Sequence, residues 1–502
     1  MNNDLIYGKN PTQKIVAIEP TDKIATLFIE NENGTIETKE ISNSYFILFS
    51  KQHSEKFTRL AGDQHFKYIM EYDSRSRWKE VLKASSNKRY DTYVIRNQAE
   101  ALMVREGYTL FKGMKVEDVS VLSIDIETNT GLQHTKDSKV LLISCTFRKN
   151  GKIERHLYSY DDYASQAIML NAFCFDVIKW NPTVIIGHNL FGYDFPYMKH
   201  CADLSGTTLM LGRDRSDIQF DNYTSHFRKD GSQTIDYTGA SIYGRQIVDT
   251  FFLSIKYDIG RNYPSYKLKD IIAYEGLERK NRQHYDASQI SKNYTNPDEW
   301  AKIKEYAKDD ADDALALYTL MIPSFFYYTQ SVPRTLQHVI NTATGSQINS
   351  IMVRSYLQDG HSIALGSEAV PYEGAISGAT PGIYKNAFKI DLVSTYPNII
   401  RRYQIYNAEK DPRKNFLHIV DVFTAERVRN KKLGKETGDK YFKDMEQAAK
   451  IVINSMYGFL GAPKLNYNCP KSAARITYCA REILKHAIKW ATGKEYVPTI
   501  RE

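Results

Sequence analysis

Residues 119–128 read VSVLSIDIET, an apolar run that ends in two carboxylates. A run rich in Val, Leu and Ile is typical of a buried β-strand, and a second one follows at 140–144. Asp125 and Glu127 are two positions apart, so on a strand both side chains point to the same face. Helix-like and strand-like segments alternate from there to about Leu320, which predicts an α/β domain around a central sheet.

Two carboxylates on one face of a buried strand repel each other and are costly to desolvate. A divalent cation between them removes that cost, because hard cations are bound by carboxylate oxygens. The pair at Asp125 and Glu127 therefore predicts a metal site. A solvated strand end without function is the alternative.

Two later segments carry further carboxylates. GHNLFGYD at 187–194 follows a strand-like run at 183–186, so Asp194 lies just past a strand end after a glycine turn. As an ordinary helix N-cap it would need no function. Tyr306 and Asp310 are four residues apart on a predicted helix and share a face, although an acidic solvated helix face is the alternative.

In this order, the three segments resemble the 3′–5′ exonuclease domain of the family B DNA polymerases, which has a ribonuclease H-like fold. The resemblance implies that four carboxylates hold two Mg²⁺ ions, with Mn²⁺ also acceptable to such ligands: Asp125, Glu127, Asp194 and Asp310. It implies that Tyr306 orients the attacking water, and that Asn189 and Tyr193 contact the frayed 3′ end. The choice of Asp310 over Asp309 rests on the Tyr-x-x-x-Asp register. Segments 244–249 and 265–268 also resemble the family, with structural roles.

A second group of motifs lies in the C-terminal half. Residues 391–400 read DLVSTYPNII after a strand-like segment at 387–391, and Pro397 is expected to keep the preceding Tyr396 extended. Residues 450–458 read KIVINSMYG on a predicted helix. Helices are predicted at 413–433 and 439–458, separated by 434–438, and they should form an antiparallel hairpin.

These segments resemble the first two polymerase motifs of the same family. The resemblance implies that Asp391 is a metal ligand and that Tyr396 excludes a ribose 2′-OH. Lys450 would hold triphosphate oxygens, while Asn454 and Tyr457 would line the nascent base-pair pocket.

On the first of the two helices, Arg427 and Lys431 would bind the β- and γ-phosphates by the same resemblance. A solvated basic face is the alternative for these residues. YEGA at 372–375 resembles the family's linker motif, which implies DNA contacts from Tyr372 and Gly374.

The expected fold class is multidomain, α/β and α+β. Residues 1–110 with part of 333–371 would form an N-terminal accessory domain, and 111–332 the exonuclease domain. Residues 372–402 and 459–502 would form an incomplete palm, and 403–458 the helical-hairpin fingers.

Bulk composition is that of a soluble globular protein, with 42% hydrophobic and 25% charged residues over 502 positions. The five cysteines form no CxxC pair, which fits a reducing compartment and argues against structural zinc. No signal peptide or membrane-spanning run is found. The expected location is the cytoplasm of an infected bacterial host.

The third polymerase motif, an Asp-Thr-Asp hairpin, is not found, and no aspartate follows Asp444. The leading hypothesis is the N-terminal subunit of a split, viral polymerase that binds primer–template DNA and dNTPs. A C-terminal subunit would supply the third motif and the thumb, and a sliding clamp is a further expected partner. The alternatives are a stand-alone 3′–5′ exonuclease, a non-enzymatic primer–template binding subunit, and a truncated sequence.

Overall fold

The computed structural model describes residues 4–54, 56–229, 233–376, 382–387 and 389–497. The N-terminal part combines small antiparallel sheets with short helices: α1 (Asp4–Tyr7), β1 (Ile15–Pro20), β2 (Ile24–Glu30), β3 (Ile36–Ser42), β4 (Tyr45–Phe49), β5 (Thr58–Arg59), β6 (Tyr68–Tyr72), α2 (Arg75–Asn87), β7 (Thr92–Tyr93) and α3 (Gln98–Glu106). Strands β1, β2 and β3 form one sheet, and the other has the order β5-β6-β4-β7. Residues 61–66 of this part bridge to 361–363, so the chain returns to it after the central region.

The central region is the predicted α/β domain. Its elements are β8 (Val121–Thr128), β9 (Val140–Lys149), β10 (Lys152–Ser159), α4 (Gln166–Trp180), β11 (Val184–Gly187), α5 (Asp194–Leu204), β12 (Gln219–Arg228), β13 (Thr234–Ser241), β14 (Gln246–Asp249), α6 (Thr250–Tyr257), α7 (Leu268–Tyr274), α8 (Ile290–Asn293) and α9 (Pro297–Thr329). Five strands form a sheet in the order β10-β9-β8-β11-β14. The strand β8 is central, antiparallel to β9 and parallel to β11.

Helix α9 lies across this sheet. The Ser123 hydroxyl on β8 donates to the Ala311 carbonyl at 2.7 Å, and the Thr146 hydroxyl on β9 donates to Asp312 at 2.6 Å. The apolar residues of β8 and β11 are buried, as their composition predicts. The carboxylate-bearing end of β8 is thereby held against one side of a long helix.

The segment around 214–233, which its polarity predicts to be an insertion loop, is instead largely part of a β-hairpin. Strands β12 and β13 pair antiparallel, from Gln219 opposite Ser241 to Arg228 opposite Thr234. Most of β12 is exposed. With so few buried positions, β12 carries no regular apolar alternation, and the prediction was wrong for that reason.

The C-terminal part is helical among the described residues: α10 (Leu336–Asn341), α11 (Thr344–Leu357), α12 (Thr395–Tyr403), α13 (Asn415–Thr437), α14 (Lys440–Gly461) and α15 (Pro470–Thr492). Residues 498–502, at the end of the predicted palm, lie outside the described residues. None of the described helices is long and apolar enough to cross a bilayer.

Two local predictions near Asp391 were wrong. Tyr396 is not extended but lies in the first turn of α12, since a proline in a first turn gives up an N–H that has no helical partner anyway. The predicted strand at 387–391 is not formed by residues 389–391, and Phe388 lies outside the described residues. No described strand lies beside this segment, and a strand needs a hydrogen-bonded neighbour.

The predicted helical hairpin is present, with a shorter turn than expected. Helix α13 continues through Gly434 to Thr437, so 434–437 do not separate the helices. At Gly434 a Cβ atom would lie 3.5 Å from the Phe442 Cβ atom of α14, so this glycine lets the helices approach closely. The turn is made by Gly438, whose φ of 70° ends α13, and by Asp439, which caps α14.

Candidate active site

Asp125 and Glu127 lie on the same face of β8, near its end. Asp125 is partly exposed, and Glu127 is 9% exposed. Strand β9 pairs with both positions, Asp125 opposite Ser144 and Glu127 opposite Leu142, whereas the ladder to β11 ends at Ser123. The strand thus presents two acidic groups at a fixed spacing.

Asp310, on helix α9, lies close to the carboxylates of Asp125 and Glu127. It offers a carboxylate oxygen that lies within 4.8 Å of oxygens from Asp125 and Glu127, and its side chain is buried. The neighbouring Asp309 instead accepts hydrogen bonds from Arg279 at 2.5 Å and from the Gln283 N–H at 2.7 Å. Of the two adjacent aspartates, Asp310 is the one that meets the strand.

Asp194 is the first residue of α5 and is 2% exposed. The Ile126 N–H, between the two acids of β8, lowers the pKa of the Asp194 carboxyl group against the effect of burial. Asp194 acts on Asp125 through its negative charge, but the structure does not include it in the group of three close ligand oxygens. The four predicted ligands therefore lie in one region, three of them in direct proximity.

Burial and mutual repulsion dominate the electrostatics. Burial, followed by the charge of Asp310, raises the pKa of Asp125 and of Glu127 well above the usual range of a carboxyl group. Burial and then the charge of Asp249 raise the pKa of Asp194 to about 8. Such a cluster is unstable as a set of free anions, and a divalent cation would compensate its charge.

Asp249 organises the turn that precedes Asp194. Its carboxylate accepts hydrogen bonds from the N–H groups of Asn189 at 2.8 Å and Phe191 at 3.3 Å. At Asn189 the backbone has a φ of 77°, and its side chain is exposed. Tyr193 is half-buried, and its hydroxyl lies 2.7 Å from the Thr128 hydroxyl next to Glu127. Tyr193 therefore lies beside the Glu127 end of β8, and Asn189 lies in the turn that leads to Asp194.

Tyr306 lies one turn before Asp310, and burial followed by the charge of Asp310 raises the pKa of its hydroxyl. Lys269 at the start of α7 places its ammonium 2.5 Å from the Tyr306 hydroxyl, and its charge lowers the pKa of Asp125 and Glu127 against the effect of burial. Sequence reasoning missed Lys269. The signal was its place directly after segment 265–268.

The donor set fits a hard divalent cation. Only carboxylate oxygens converge here, without Cys or His, which suits Mg²⁺ or Mn²⁺ rather than zinc. The raised pKa values of Asp125 and Glu127 show that the fully ionised cluster needs a compensating charge.

The second group of predicted residues surrounds a cleft of about 580 Å³. Asp391, Tyr396 and Asn454 line it, together with residues of α15. Asp391 is exposed. In the parts of the chain that the structure describes, no further acidic or ligand-bearing side chains gather around Asp391 as they do around Asp125.

The helical hairpin contributes one wall. Arg427 donates to the Ser394 hydroxyl at 2.8 Å, which brings it to the segment after Asp391. Lys431 is exposed and Lys450 is half-buried. The ring of Tyr457 lies 4.7 Å from that of Tyr396, centroid to centroid.

The linker motif at 372–375 contacts the wall of the cleft that the helical hairpin forms. The hydroxyls of Tyr372 and Tyr457 are 3.1 Å apart. Arg481 on α15 donates to the carbonyls of Glu373 and Gly374, each at 2.8 Å, and also lines the cleft. Sequence reasoning missed Arg481, because a single basic residue on an amphipathic helix resembles any solvated face.

Two family models match the chain. Residues 82–271 match the model described as DNA polymerase family B, exonuclease domain, and residues 404–499 match the model described as DNA polymerase family B. The chain belongs to the family B DNA polymerases. Asp125, Glu127 and Asp194 lie inside the first matched range of this family B chain, whereas Asp310 and Asp391 lie outside both ranges.

Relatives and solved structures agree with this family. DNA polymerase 2 of Aeropyrum pernix is 23% identical over 429 residues, which cover 77% of this chain and 50% of the relative. DNA polymerase 1 of Pyrococcus abyssi is 22% identical over 442 residues, covering 80% and 53%. The family B DNA polymerase structure from Pyrobaculum calidifontis matches the fold with a TM-score of 0.76 at 17% identity, over 95% of this chain and 71% of that one. This family B chain thus spans about half the length of the curated relatives it matches.

Proposed function

We propose that this chain removes nucleotides from DNA 3′ ends by hydrolysis at the cluster of Asp125, Glu127 and Asp310. The observation that carries the proposal is the convergence of their oxygens within 4.8 Å on the central sheet. Carboxylates are held together in this way where a divalent cation binds a phosphodiester.

Mg²⁺ is the proposed cation, and it would be held by the four carboxylates Asp125, Glu127, Asp194 and Asp310. When bound, it would lower the pKa of a water molecule and stabilise the leaving 3′ oxygen. Tyr306 would orient that water, because Lys269 holds its hydroxyl one helical turn from Asp310. Asn189 and Tyr193 would contact the terminal nucleotides from the turn before α5.

The test uses a 3′-labelled single strand with Mg²⁺. Asp125→Ala combined with Glu127→Ala should lower the hydrolysis rate roughly 10³-fold, the equivalent of about 4 kcal/mol in transition-state stabilisation. Asp137→Ala is the matched control, since it removes an exposed aspartate from the loop after β8. Equal rates for the double variant and the wild type would refute the site.

We further propose that the cleft at Asp391 adds deoxynucleotides to a primer, with its second carboxylate and the thumb coming from residues outside this sequence. The family match over 404–499 and the convergence of Tyr396, Asn454 and Arg427 on the cleft support this. Lys450, Lys431 and Arg427 would bind the triphosphate, and Tyr396 would exclude a 2′-OH. Tyr372 and Gly374 would contact the template, and Tyr457 the nascent base pair.

A chain that only trims 3′ ends is the second candidate function. It is favoured by the carboxylate cluster in the first half, which has no described counterpart at Asp391. The two candidates differ in one measurement, namely whether a polypeptide with the third motif and thumb confers primer extension when it is added.

A further inference from the structure

Arg282 is a buried arginine beside the carboxylate cluster, in the stretch between α7 and α8. Its side chain is 1% exposed. One terminal nitrogen, Nη2, lies 2.6 Å from an oxygen of Asp310 and 2.6 Å from an oxygen of Asp313, and Nε donates to Asp313 at 2.7 Å. A single guanidinium therefore bridges two acids one turn apart on α9.

Asp310 is held by Arg282, which donates to its Oδ1 atom at 2.6 Å. An oxygen of the same carboxylate lies within 4.8 Å of Asp125 and Glu127 oxygens. With this donor in place, the Asp310 side chain has less freedom to rotate away from β8.

Attachment of this stretch to α9 does not depend on Arg282. Arg279 pairs with Asp309 at 2.5 Å and with Asp312 at 2.6 Å, and its side chain is 43% exposed. A buried ion pair is seldom more stabilising than an apolar replacement of similar volume. Unlike Arg279, Arg282 contacts Asp310, a member of the carboxylate cluster.

We propose that Arg282 is a positioning residue for the exonuclease metal site. It holds one oxygen of Asp310, so that the side chain stays directed at Asp125 and Glu127, and it neutralises Asp313, a further buried acid. This inference rests on the proposed function. A purely structural role, in which Arg282 only offsets the charge of Asp313, makes a different prediction.

The experiment measures Mn²⁺ binding by the electron paramagnetic resonance signal of free Mn²⁺, in an Asp391→Asn background that confines binding to the exonuclease site. Arg282→Met should raise the Mn²⁺ dissociation constant about 10- to 100-fold, the usual range for loss of a group that orients a metal ligand. Loss of a nearby positive charge would by itself tighten cation binding, so weaker binding reports lost positioning. Arg282→Lys should recover part of the affinity, and Arg279→Gln should leave it within about twofold.

A double variant separates the two roles. In Arg282→Met with Asp313→Asn the buried charge of Asp313 is gone, so the unfolding temperature should return toward the wild-type value while Mn²⁺ binding stays weak. If Arg282→Met alone does not fold, the Mn²⁺ affinity of this double variant tests the proposal instead. Wild-type affinity in the double variant, or unchanged or tighter binding in Arg282→Met, would overturn the proposal, as would a wild-type chain that binds no Mn²⁺.

Exonuclease rates against Mg²⁺ concentration give the second readout. Arg282→Met should shift half-saturation to higher Mg²⁺ by the same factor as the Mn²⁺ constant. If the wild type binds Mn²⁺ but does not degrade DNA, the proposed function fails, while the Mn²⁺ titrations still decide the role of Arg282.

Discussion

At the scale of single residues, Glu30 shows what burial does to a carboxylate outside any site. It ends β2, is 5% exposed, and its Oε2 atom has no hydrogen-bond partner among the described residues. Burial raises its pKa from 4.5 to about 7, although Lys149 and Arg213 act in the opposite direction. The folded chain therefore binds this proton more tightly than the unfolded chain does.

The consequence is a fall in stability with rising pH. The contribution of protonated Glu30 is fully present below about pH 4.5 and is lost as the pH rises to about 7. At most about 3.5 kcal/mol of unfolding free energy is involved, since one pKa unit corresponds to about 1.4 kcal/mol. Glu30→Gln cannot ionise, so its unfolding temperature relative to the wild type should rise between pH 5 and pH 8. Glu32→Gln, at an exposed neighbour, should show no such trend, and parallel curves for Glu30→Gln and wild type would contradict the assignment.

Asp249 acts on the site through the backbone. Both carboxylate oxygens accept N–H groups of the turn before Asp194, so Asp249→Asn would place an amide NH₂ against one of them. We expect exonuclease activity to fall about 10- to 100-fold and the unfolding free energy to fall by about 1–3 kcal/mol.

The matched control for that change is Asp411→Asn. Asp411 is 1% exposed and accepts the N–H groups of Asn415 and Phe416 in the C-terminal half, away from the carboxylate cluster. It should lose similar stability in thermal unfolding and keep the wild-type exonuclease rate. If both variants lose activity in proportion to stability, Asp249 has no specific effect on the site.

At the scale of elements, the junction of β8 and β11 depends on a glycine. A Cβ atom at Gly187 would lie 2.6 Å from the Ile124 carbonyl oxygen, a backbone contact that cannot relax by rotation of a side chain. Gly187→Ala should push apart the two strands that carry Asp125 and lead to Asp194. The expected cost is about 1–3 kcal/mol in unfolding free energy, with a larger relative loss of exonuclease activity than of folded protein.

Thermal unfolding followed by circular dichroism measures the loss of stability, and hydrolysis of labelled DNA 3′ ends measures the loss of activity. Gly206→Ala is a useful comparison, because a Cβ atom there would meet nothing within 4 Å, although its φ of +65° strains alanine. It should lose stability without a matching loss of hydrolysis rate. Full activity in Gly187→Ala would show that the strands tolerate the displacement.

The elements also show where sequence patterns fail. Composition predicted β8 and β11, because buried central strands are continuously apolar. It did not predict β12, which is mostly exposed, and it treated Gly434 as a break although α13 continues through it to Thr437. Pro397 was misjudged because its effect depends on whether it starts a helix or interrupts one. Apolar periodicity in a sequence reflects which residues are buried. These predictions failed where the local structure is decided by something other than burial.

At the scale of the whole molecule, the residues of each site come from distant parts of the sequence. Motif spacing could locate the acids at Asp125, Glu127, Asp194 and Asp310, since each belongs to a short recognisable segment. It could not locate Arg282 or Arg481, because each acts through contacts with another element and lies in an unremarkable local pattern, whereas Lys269 directly follows the family-like segment 265–268. Only the fold shows that these cations lie beside the acids or the cleft.

The two sites differ in what they contain, and this gives the last prediction. Among the described residues a carboxylate cluster is found at Asp125 and none around Asp391, and no aspartate follows Asp444 in the given sequence. A two-metal transfer needs more than one carboxylate. With a primer–template, dNTPs and Mg²⁺, the chain alone should therefore shorten the primer and not extend it.

Addition of a second polypeptide carrying the third motif and thumb should produce extension. Asp391→Asn should then remove extension and leave 3′ hydrolysis intact, because Asp391 lies outside the Asp125 cluster. Asp125→Ala with Glu127→Ala should do the reverse. Extension by the chain alone, freed of contaminating polymerase, would refute the incomplete site. Loss of both activities in either variant would mean that the two sites are not independent.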